Sequence, residues 1–202
     1  RNSVRQGWRG ERDTRGDTSW VPPEMIERIE VLRGPAAARY GNGAAGGVGH
    51  FAVQIAKWKG ARVIAVGSGK QQALLRDLGA DEVIDYETTA AETVVRDVDL
   101  VIDAVGGPAA ARFLPVIKRG GALFLVFPLG FAAAEEAQRR GVMVSTTQVR
   151  SSGAQLAEIA RLLDDGTIRV VIGSQFPLAE AGNAHERAAQ GGSQGKIVLK
   201  VA

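Results

Sequence analysis

The chain carries four glycines within residues 43–49, and an amphipathic helix pattern begins directly after them. The apolar side chains of this pattern recur at helical spacing until Gly60 ends it. A glycine-rich turn that leads into a helix of an α/β unit needs a strand in front of it. The candidate strand is the alternating segment 25–32, which is separated from the turn by residues 33–42. The glycine-rich turn therefore indicates an α/β unit, while the identity of the strand that precedes the turn is left open.

Beyond residue 47, short apolar runs with β-branched residues alternate with helical patterns. This alternation indicates a parallel sheet with crossover helices, and the nearly continuous hydrophobicity of the runs indicates helices on both faces. The sequence therefore predicts an α/β fold: a three-layer Rossmann-type parallel sheet with an irregular N-terminal extension. The predicted strands are 62–66, 82–85, 99–103, 122–127, 142–145 and 195–201, and the predicted helices after the first are 70–78, 108–118, 132–139, 153–164 and about 179–190.

Composition excludes several kinds of function. The 202 residues contain no cysteine, which excludes disulfides, thiolate zinc sites and cysteine nucleophiles. The formal charge of +3 is modest and the basic residues are interleaved with acidic ones, so nucleic-acid binding has no compositional support. No apolar run approaches the roughly 20 residues that cross a bilayer. We therefore expect no membrane partner and a cytoplasmic location.

The glycine-rich turn is a candidate phosphate-binding site. Glycines let the backbone approach a pyrophosphate closely, and the charge of that group then lies at the positive N-terminal end of the helix that carries Val48 and Phe51. A lone pattern of this kind is weak evidence, but a helix and a strand that ends at Val66 follow in the expected order. The alternative is an ordinary glycine-rich loop without a ligand.

The residues after that strand favour NADP(H) over NAD(H). Sites that prefer NAD usually offer a carboxylate to the ribose hydroxyls at this point, whereas this chain has Gly67-Ser68-Gly69-Lys70. Ser68 can donate a hydrogen bond to a 2′-phosphate, Lys70 can supply positive charge, and no acidic side chain stands in the turn. The alternative is that Lys70 merely opens an exposed helix.

A zinc site is not expected. Only His50 and His185 could supply imidazole ligands, and no cysteine accompanies them. A catalytic zinc ion usually needs three protein ligands. Carboxylates could complete a set, but His50 opens a helix beside the glycine-rich turn and His185 lies in a late helix. Both histidines are therefore interpreted as structural or surface residues, and no metal site is predicted.

Four further motifs follow the turn, at 78–86, 99–107, 118–121 and 195–199. Together with the turn, they make residues 43–202 resemble the zinc-independent, quinone-oxidoreductase-like branch of the medium-chain dehydrogenase/reductase superfamily. The resemblance implies an oxidoreductase that positions a small-molecule substrate, such as a quinone, an enone or a related carbonyl, against the hydride of NADP(H). It implies no protein nucleophile, and the catalytic residues stay unassigned.

The resemblance also implies roles for the matched positions. The turn would hold the pyrophosphate, and side chains after the next two strands would surround the adenosine phosphate. Residues after the fourth strand would follow the cofactor, and Phe127 would lie near the nicotinamide. The implied cofactor-binding residues are Gly46, Gly47, Val48, Ser68, Lys70, Tyr86, Ala104, Val105, Gly106 and Phe127.

One departure from that superfamily bears on activity. Its members carry a GroES-like substrate domain before the cofactor domain, and the residues before the turn do not resemble one. We interpret 43–169 as the dinucleotide-binding domain and 170–202 as a C-terminal segment that in the family packs on the substrate domain. Exposed apolar area or self-association is the expected consequence. The resemblance adds a homodimer through the edge strand at about 142–147 as a candidate assembly.

The front of the chain, at 5–17, 21–35 and 40–48, resembles the plug domain of TonB-dependent ferric-siderophore receptors of the enterobactin type. We interpret residues 1–42 as a receptor-plug-like extension, whereas 43–48 fit both families. A join inside this shared glycine stretch indicates a chimera. Besides an oxidoreductase cofactor domain, two alternatives stay open: a non-catalytic chimera or fragment that at most binds nucleotide, and a fragment of an outer-membrane siderophore receptor. Missing barrel strands argue against the receptor.

Overall fold

The computed structural model describes residues 28–32, 47–146, 151–190 and 194–201. Within these ranges the chain forms eight strands, six α-helices and three 3-10 helices. The strands are β1 (Arg28–Leu32), β2 (Arg62–Gly67), β3 (Glu82–Asp85), β4 (Val98–Asp103), β5 (Ile117–Leu125), β6 (Met143–Thr146), β7 (Ile172–Pro177) and β8 (Lys196–Lys200). The helices are α1 (Gly49–Trp58), α2 (Gln72–Asp77), α3 (Ala91–Val94), α4 (Ala134–Arg140), α5 (Gly153–Asp164) and α6 (Ala181–Ala189), and the 3-10 helices are Gly69–Gln71, Pro108–Val116 and Leu178–Glu180. No described helix is long and apolar enough to cross a bilayer.

Six strands form one sheet in the order β3-β2-β1-β4-β5-β6, and every neighbouring pair is parallel. This is the strand order of the doubly wound dinucleotide-binding fold. From β1 the chain adds β2 and β3 on one side of the sheet, and then β4, β5 and β6 on the other. This reversal between β1 and β4 opens a crevice at the carboxyl ends of the strands. The predicted Rossmann-type fold is confirmed.

The central strand β1 comes from the segment that resembles a receptor plug. Its backbone pairs with β2 on one side and with β4 on the other, so that Ile29 lies opposite both Val63 and Leu100. At the carboxyl end, Leu32 lies opposite Asp103. The segment 25–32 therefore supplies, through Arg28–Leu32, the strand that the sequence left open.

Helices pack on both faces of the sheet, and alternate residues of β2 mark the two faces. Val63 and Ala65 belong to a core cluster with residues of α1 and α2. Ile64 and Val66 belong to a second cluster with residues of the 3-10 helix Pro108–Val116 and of α4. All four side chains are at most 1% exposed. Because successive side chains of a strand point to opposite faces, this alternation confirms the predicted three layers.

Two regions depart from the predicted boundaries. The predicted helix 108–118 is a 3-10 helix that ends at Val116, and β5 begins at Ile117 rather than at residue 122. Pro115 lies inside that 3-10 helix. Because proline has no N–H to donate and its ring clashes with the preceding turn, a regular α-helix does not continue through it. The sequence analysis also does not anticipate α3 or β7.

The C-terminal strands β7 and β8 form a separate two-stranded parallel sheet, and α6 connects them. Large apolar side chains in and beside this sheet are exposed, in agreement with the exposed apolar area expected for 170–202. These side chains belong to Val170, Ile172, Leu178, Leu199 and Val201.

Candidate functional site

The candidate site lies at the carboxyl edge of the six-stranded sheet. Because the strands are parallel, their carboxyl ends meet at one edge, and the predicted cofactor-binding residues follow directly after them or begin α1. The structure thus brings together residues that lie far apart in the chain. The predicted residues placed at this edge are Gly47, Val48, Ser68, Lys70, Tyr86, Ala104, Val105, Gly106 and Phe127, while Gly46 lies outside the described residues.

The N-terminus of α1 is open to an anion. The carbonyl of Val48 accepts hydrogen bonds from the N–H groups of Phe51 (3.1 Å) and Ala52 (3.0 Å). No described side chain caps the helix, and its first turn contains no acidic residue. The remaining N–H groups of the first turn have no helical partner and carry the positive end of the helix dipole. This arrangement suits a phosphate.

A lysine from the other end of the chain lies beside this helix terminus. A Cβ atom placed on Gly47 would be 3.5 Å from the Nζ atom of Lys196, which opens β8. Lys196 forms no salt bridge with any residue that the structure describes. Lys196 belongs to the closing motif of the sequence, but its position there indicates no role, because only the folded chain brings β8 to the glycine-rich turn.

His50, in the first turn of α1, is fully buried. Its side chain is 0% exposed, its ring centroid lies 4.0 Å from that of Phe51, and neither ring nitrogen has a hydrogen-bond partner among the described residues. Burial, and secondarily the positive charge of Lys196, lower the pKa of His50 below its usual value. His185 is exposed on α6. Among the described residues, no group of three or more His, Asp or Glu side chains could hold a metal ion.

The Gly67–Lys70 turn is held by contacts from three directions. The N–H of Tyr86 donates to the carbonyl of Gly67 (3.1 Å), which brings the residue after β3 beside the end of β2. The N–H of Ser68 donates to Oε1 of Gln71 (3.2 Å). From the C-terminal segment, Nε2 of Gln194 donates to the carbonyl of Lys70 (2.8 Å). Ser68, Lys70 and the backbone of Tyr86 therefore lie close together at one corner of the candidate site.

An acidic side chain also reaches this turn. A Cβ atom on Gly69 would be 2.7 Å from Oδ2 of Asp85, the last residue of β3. Residues 67–70 themselves contain no acidic side chain, as predicted. The prediction did not include Asp85, whose carboxylate lies against the turn in the folded chain. Asp85 escapes detection in the sequence because the contact depends on the pairing of β2 with β3, in which Gly67 lies opposite Asp85.

The turn after β4 is organised by a buried carboxylate. Asp103 is 3% exposed, and its Oδ1 atom accepts the N–H groups of Val105 (2.8 Å) and Gly106 (2.9 Å). Gly106 has a φ of 73°, and a Cβ at this position would overlap the carbonyl oxygen of Phe127. The carbonyl of Asp103 also accepts the N–H of Val126 (2.9 Å). Asp103 thus fixes the ends of β4 and β5 against each other.

Comparison with known proteins now separates two parts of the chain. The model of the family described as zinc-binding dehydrogenase matches residues 78–199, which is more than half of the chain. The chain belongs to this family. Its dehydrogenase part is also similar to individual relatives. The mitochondrial NAD(P)H oxidoreductase RTN4IP1 of Mus musculus is 35% identical over 184 residues, which covers 79% of this chain and 46% of the relative.

The fold of this zinc-binding dehydrogenase family member also matches solved structures. The quinone oxidoreductase from Coxiella burnetii superposes with a TM-score of 0.74 at 30% identity, over 87% of this chain and 53% of that chain. The chain therefore spans about half the length of these dehydrogenase relatives. The predicted resemblance to quinone-oxidoreductase-like proteins is confirmed.

The front of this dehydrogenase-family chain has a different relationship. Residues 1–48 match the TonB-dependent receptor plug domain. Over 48 residues the chain is 88% identical to the ferric enterobactin receptor PirA of Pseudomonas aeruginosa, which covers 24% of this chain and 6% of the receptor. The predicted chimera is confirmed, since the chain joins a receptor-plug segment to a dehydrogenase domain.

Proposed function

We propose that residues 43–202 are the NADP(H)-binding domain of a zinc-independent oxidoreductase that transfers hydride to a quinone, an enone or a related carbonyl. The observation that carries the proposal is the open N-terminus of α1 beside Lys196, at the reversal of strand order between β1 and β4. Ligands of open α/β sheets bind at such a reversal. Two relatives, one named as an NAD(P)H oxidoreductase and one as a quinone oxidoreductase, support the same reaction class.

The phosphate end of the cofactor fits the first turn of α1. Gly46, Gly47 and Val48 would present backbone N–H groups to the pyrophosphate, and Lys196 would add a positive charge. The absence of a side chain at Gly47 leaves the space beside the Lys196 Nζ atom open to a phosphate oxygen. Lys196 thereby joins the predicted cofactor-binding residues.

The adenosine end fits the Gly67–Lys70 turn. Ser68 would donate a hydrogen bond to a 2′-phosphate, the exposed Lys70 would neutralise part of its charge, and Tyr86 would lie beside both because its N–H is bonded to Gly67. These three residues support NADP(H) as the preferred coenzyme.

The nicotinamide end fits the turn after β4 and the end of β5. Ala104, Val105 and Gly106 would follow the cofactor, and Phe127, whose side chain is 39% exposed, would lie near the nicotinamide. The nicotinamide cofactor supplies the hydride chemistry when bound. The chain's own residues bind it and fix its orientation, since Asp103 sets the shape of the turn through its two backbone hydrogen bonds. No residue is assigned to catalysis.

Four accompanying expectations remain predictions. Zinc independence is supported by the lack of cysteine and by the burial of His50. A homodimer through β6 is supported by the position of this strand, which pairs only with β5 within the described part of the sheet and leaves its other edge open. A cytoplasmic location stays a prediction, and a small-molecule substrate is the expected partner.

A second candidate function is nucleotide binding without turnover. It is supported by the length of the chain, which spans about half of its dehydrogenase relatives, and by the exposed apolar side chains of the β7–β8 sheet. In that case the chain would bind the nucleotide at the carboxyl edge of the sheet and would catalyse no hydride transfer.

The two candidates are distinguished by measuring NADPH oxidation with a panel of quinones and enones alongside calorimetric titration with NADPH. Binding together with quinone-dependent oxidation is the expected result. Binding without oxidation supports the non-catalytic alternative. Absence of both overturns the proposed cofactor site.

A further inference from the structure

Asp85 stands out at the candidate site because its carboxylate is fixed in place and directed at the Gly67–Lys70 turn. Its Oδ1 atom accepts the N–H of Glu87 (3.0 Å), which holds the side chain in one orientation. Its Oδ2 atom lies against the backbone of Gly69, at 2.7 Å from the position of a Cβ atom there. No donor among the described residues reaches Oδ2. One oxygen of a fixed carboxylate is thus left to face the turn.

We propose that Asp85 is a specificity-determining residue of the coenzyme site, which accepts a hydrogen bond from a ribose hydroxyl of NAD(H) and repels the 2′-phosphate of NADP(H). The proposal rests on the proposed function, since it concerns the adenosine end of the same site. Carboxylates at the end of a neighbouring strand serve this purpose in NAD-binding sites, where they accept the ribose 2′-hydroxyl. In this chain the carboxylate comes from β3 rather than from β2.

Asp85 and Lys70 act in opposite directions on the same phosphate. Lys70 is exposed and forms no salt bridge with a described residue, so its long side chain is free to reach a 2′-phosphate. Asp85 is shorter and is held by Glu87, so its negative charge stays at the turn. The coenzyme preference therefore depends on the balance between attraction of the 2′-phosphate by Lys70 and its repulsion by Asp85. Asp85 makes the preference for NADP(H) smaller than Ser68 and Lys70 alone would make it.

The test is calorimetric titration of the full 202-residue chain with NADP+ and with NAD+, expressed as the ratio of the dissociation constant for NAD+ to that for NADP+. Asp85→Asn removes the charge and keeps an oxygen that can accept the Glu87 N–H. We expect the ratio to rise on the order of tenfold, the size of one unit-charge interaction at a partly screened separation of several ångströms. Lys70→Gln should lower the same ratio.

Glu135→Gln is the matched control. It also replaces a carboxylate by an amide, but Glu135 lies on α4, which connects β5 to β6 at the opposite edge of the sheet from β3. The net charge of the chain changes equally, so an unchanged ratio in this variant assigns the effect to the position of Asp85.

An unchanged ratio in Asp85→Asn, with both coenzymes still bound, overturns the role of Asp85 and leaves the proposed function standing. Failure of the wild-type chain to bind either coenzyme overturns the proposed function and the role of Asp85 with it. If circular dichroism shows that Asp85→Asn does not fold, the ratio is measured in Asp85→Ser, which retains an oxygen for the Glu87 N–H and is judged by the same criterion.

Discussion

His50 makes the stability of the chain depend on pH. Its pKa is lowered by burial and by Lys196 from the ordinary value of 6.5, so the unfolded chain takes up the proton first as the pH falls. Stability is therefore present above about pH 6.5 and is lost as the pH falls towards the folded-state pKa. Between pH 7 and pH 5 the loss is at most about 2 kcal/mol, and urea denaturation at the two values measures it.

His50→Leu should reduce that pH-dependent loss, whereas His185→Asn, which removes the exposed histidine of α6, should keep it. Asp81 does not contribute to this loss, because the hydrogen bond from Lys57 lowers its pKa and the group titrates below the pH window. An equal loss of stability in the His50→Leu variant and in the wild type would contradict the account.

Gly106 and Gly107 form a matched pair of residues in the turn after β4. Both have positive φ, 73° and 81°, and Gly107 combines it with an extended ψ of −174°, so alanine is strained at either position by about 1–3 kcal/mol. At Gly107 a Cβ meets no atom within 4 Å, whereas at Gly106 it overlaps the carbonyl of Phe127. Gly106→Ala should therefore destabilise the chain by about 1–3 kcal/mol more than Gly107→Ala in urea denaturation. Equal effects would show that the turn can move away from Phe127.

At the scale of elements, β1 is the strand on which the sheet depends. It lies between β2 and β4, so the interior N–H groups of β1 face a neighbouring strand on one side or the other. Val31→Pro removes one such donor and should cost at least about 3 kcal/mol in urea denaturation. Arg28→Pro changes only the first residue of the strand, a position that tolerates proline, and is the control. If both variants are as stable as the wild type, β1 does not pair as described.

Elements with strong periodic patterns could be predicted from the sequence, and those shaped by proline or by pairing could not. The apolar face of 153–164 predicts α5 at its observed ends, and the β-branched run before Asp85 predicts β3. The 3-10 helix around Pro115 departs from prediction because proline overrides the helical pattern. β7 carries little alternation and is defined by its pairing with β8. The place of β1 in the sheet could not be predicted from its own residues, because it is defined by pairing with β2 and β4.

At the scale of the whole molecule, site residues could be predicted where they follow predicted strands. Contacts between segments that lie far apart in the sequence could not be predicted. Ser68, Lys70 and Tyr86 lie at strand ends that the sequence already locates. Lys196 and Asp85 reach the site from β8 and β3, and nothing in their local sequence indicates these contacts. In the proposals made above, these two unpredicted residues add to Lys70 the charges that would act on a bound dinucleotide.

The chimeric origin of the chain has a consequence for the whole domain. A segment that resembles a receptor plug supplies the central strand, and the dehydrogenase part supplies the strands, helices and turns around it. Residues 33–46, which connect β1 to α1, lie outside the described residues. The cofactor edge therefore depends on two segments of different ancestry, and β1 and α1 meet at the point where a dinucleotide phosphate would bind.

Calorimetric titration of the full chain with NADPH, in the wild type and in two variants, tests whether the N-terminus of α1 beside Lys196 binds a dinucleotide phosphate. Gly47→Asp places a carboxylate against the Lys196 Nζ atom and the free N–H groups of α1, where it competes with phosphate. Gly153→Asp makes the same change at the first residue of α5, where a Cβ meets nothing within 4 Å.

We expect saturable binding to the wild type and to Gly153→Asp, and binding at least about tenfold weaker to Gly47→Asp, the equivalent of about 1.4 kcal/mol. Equal binding to all three, or no binding to the wild type, would contradict this expectation.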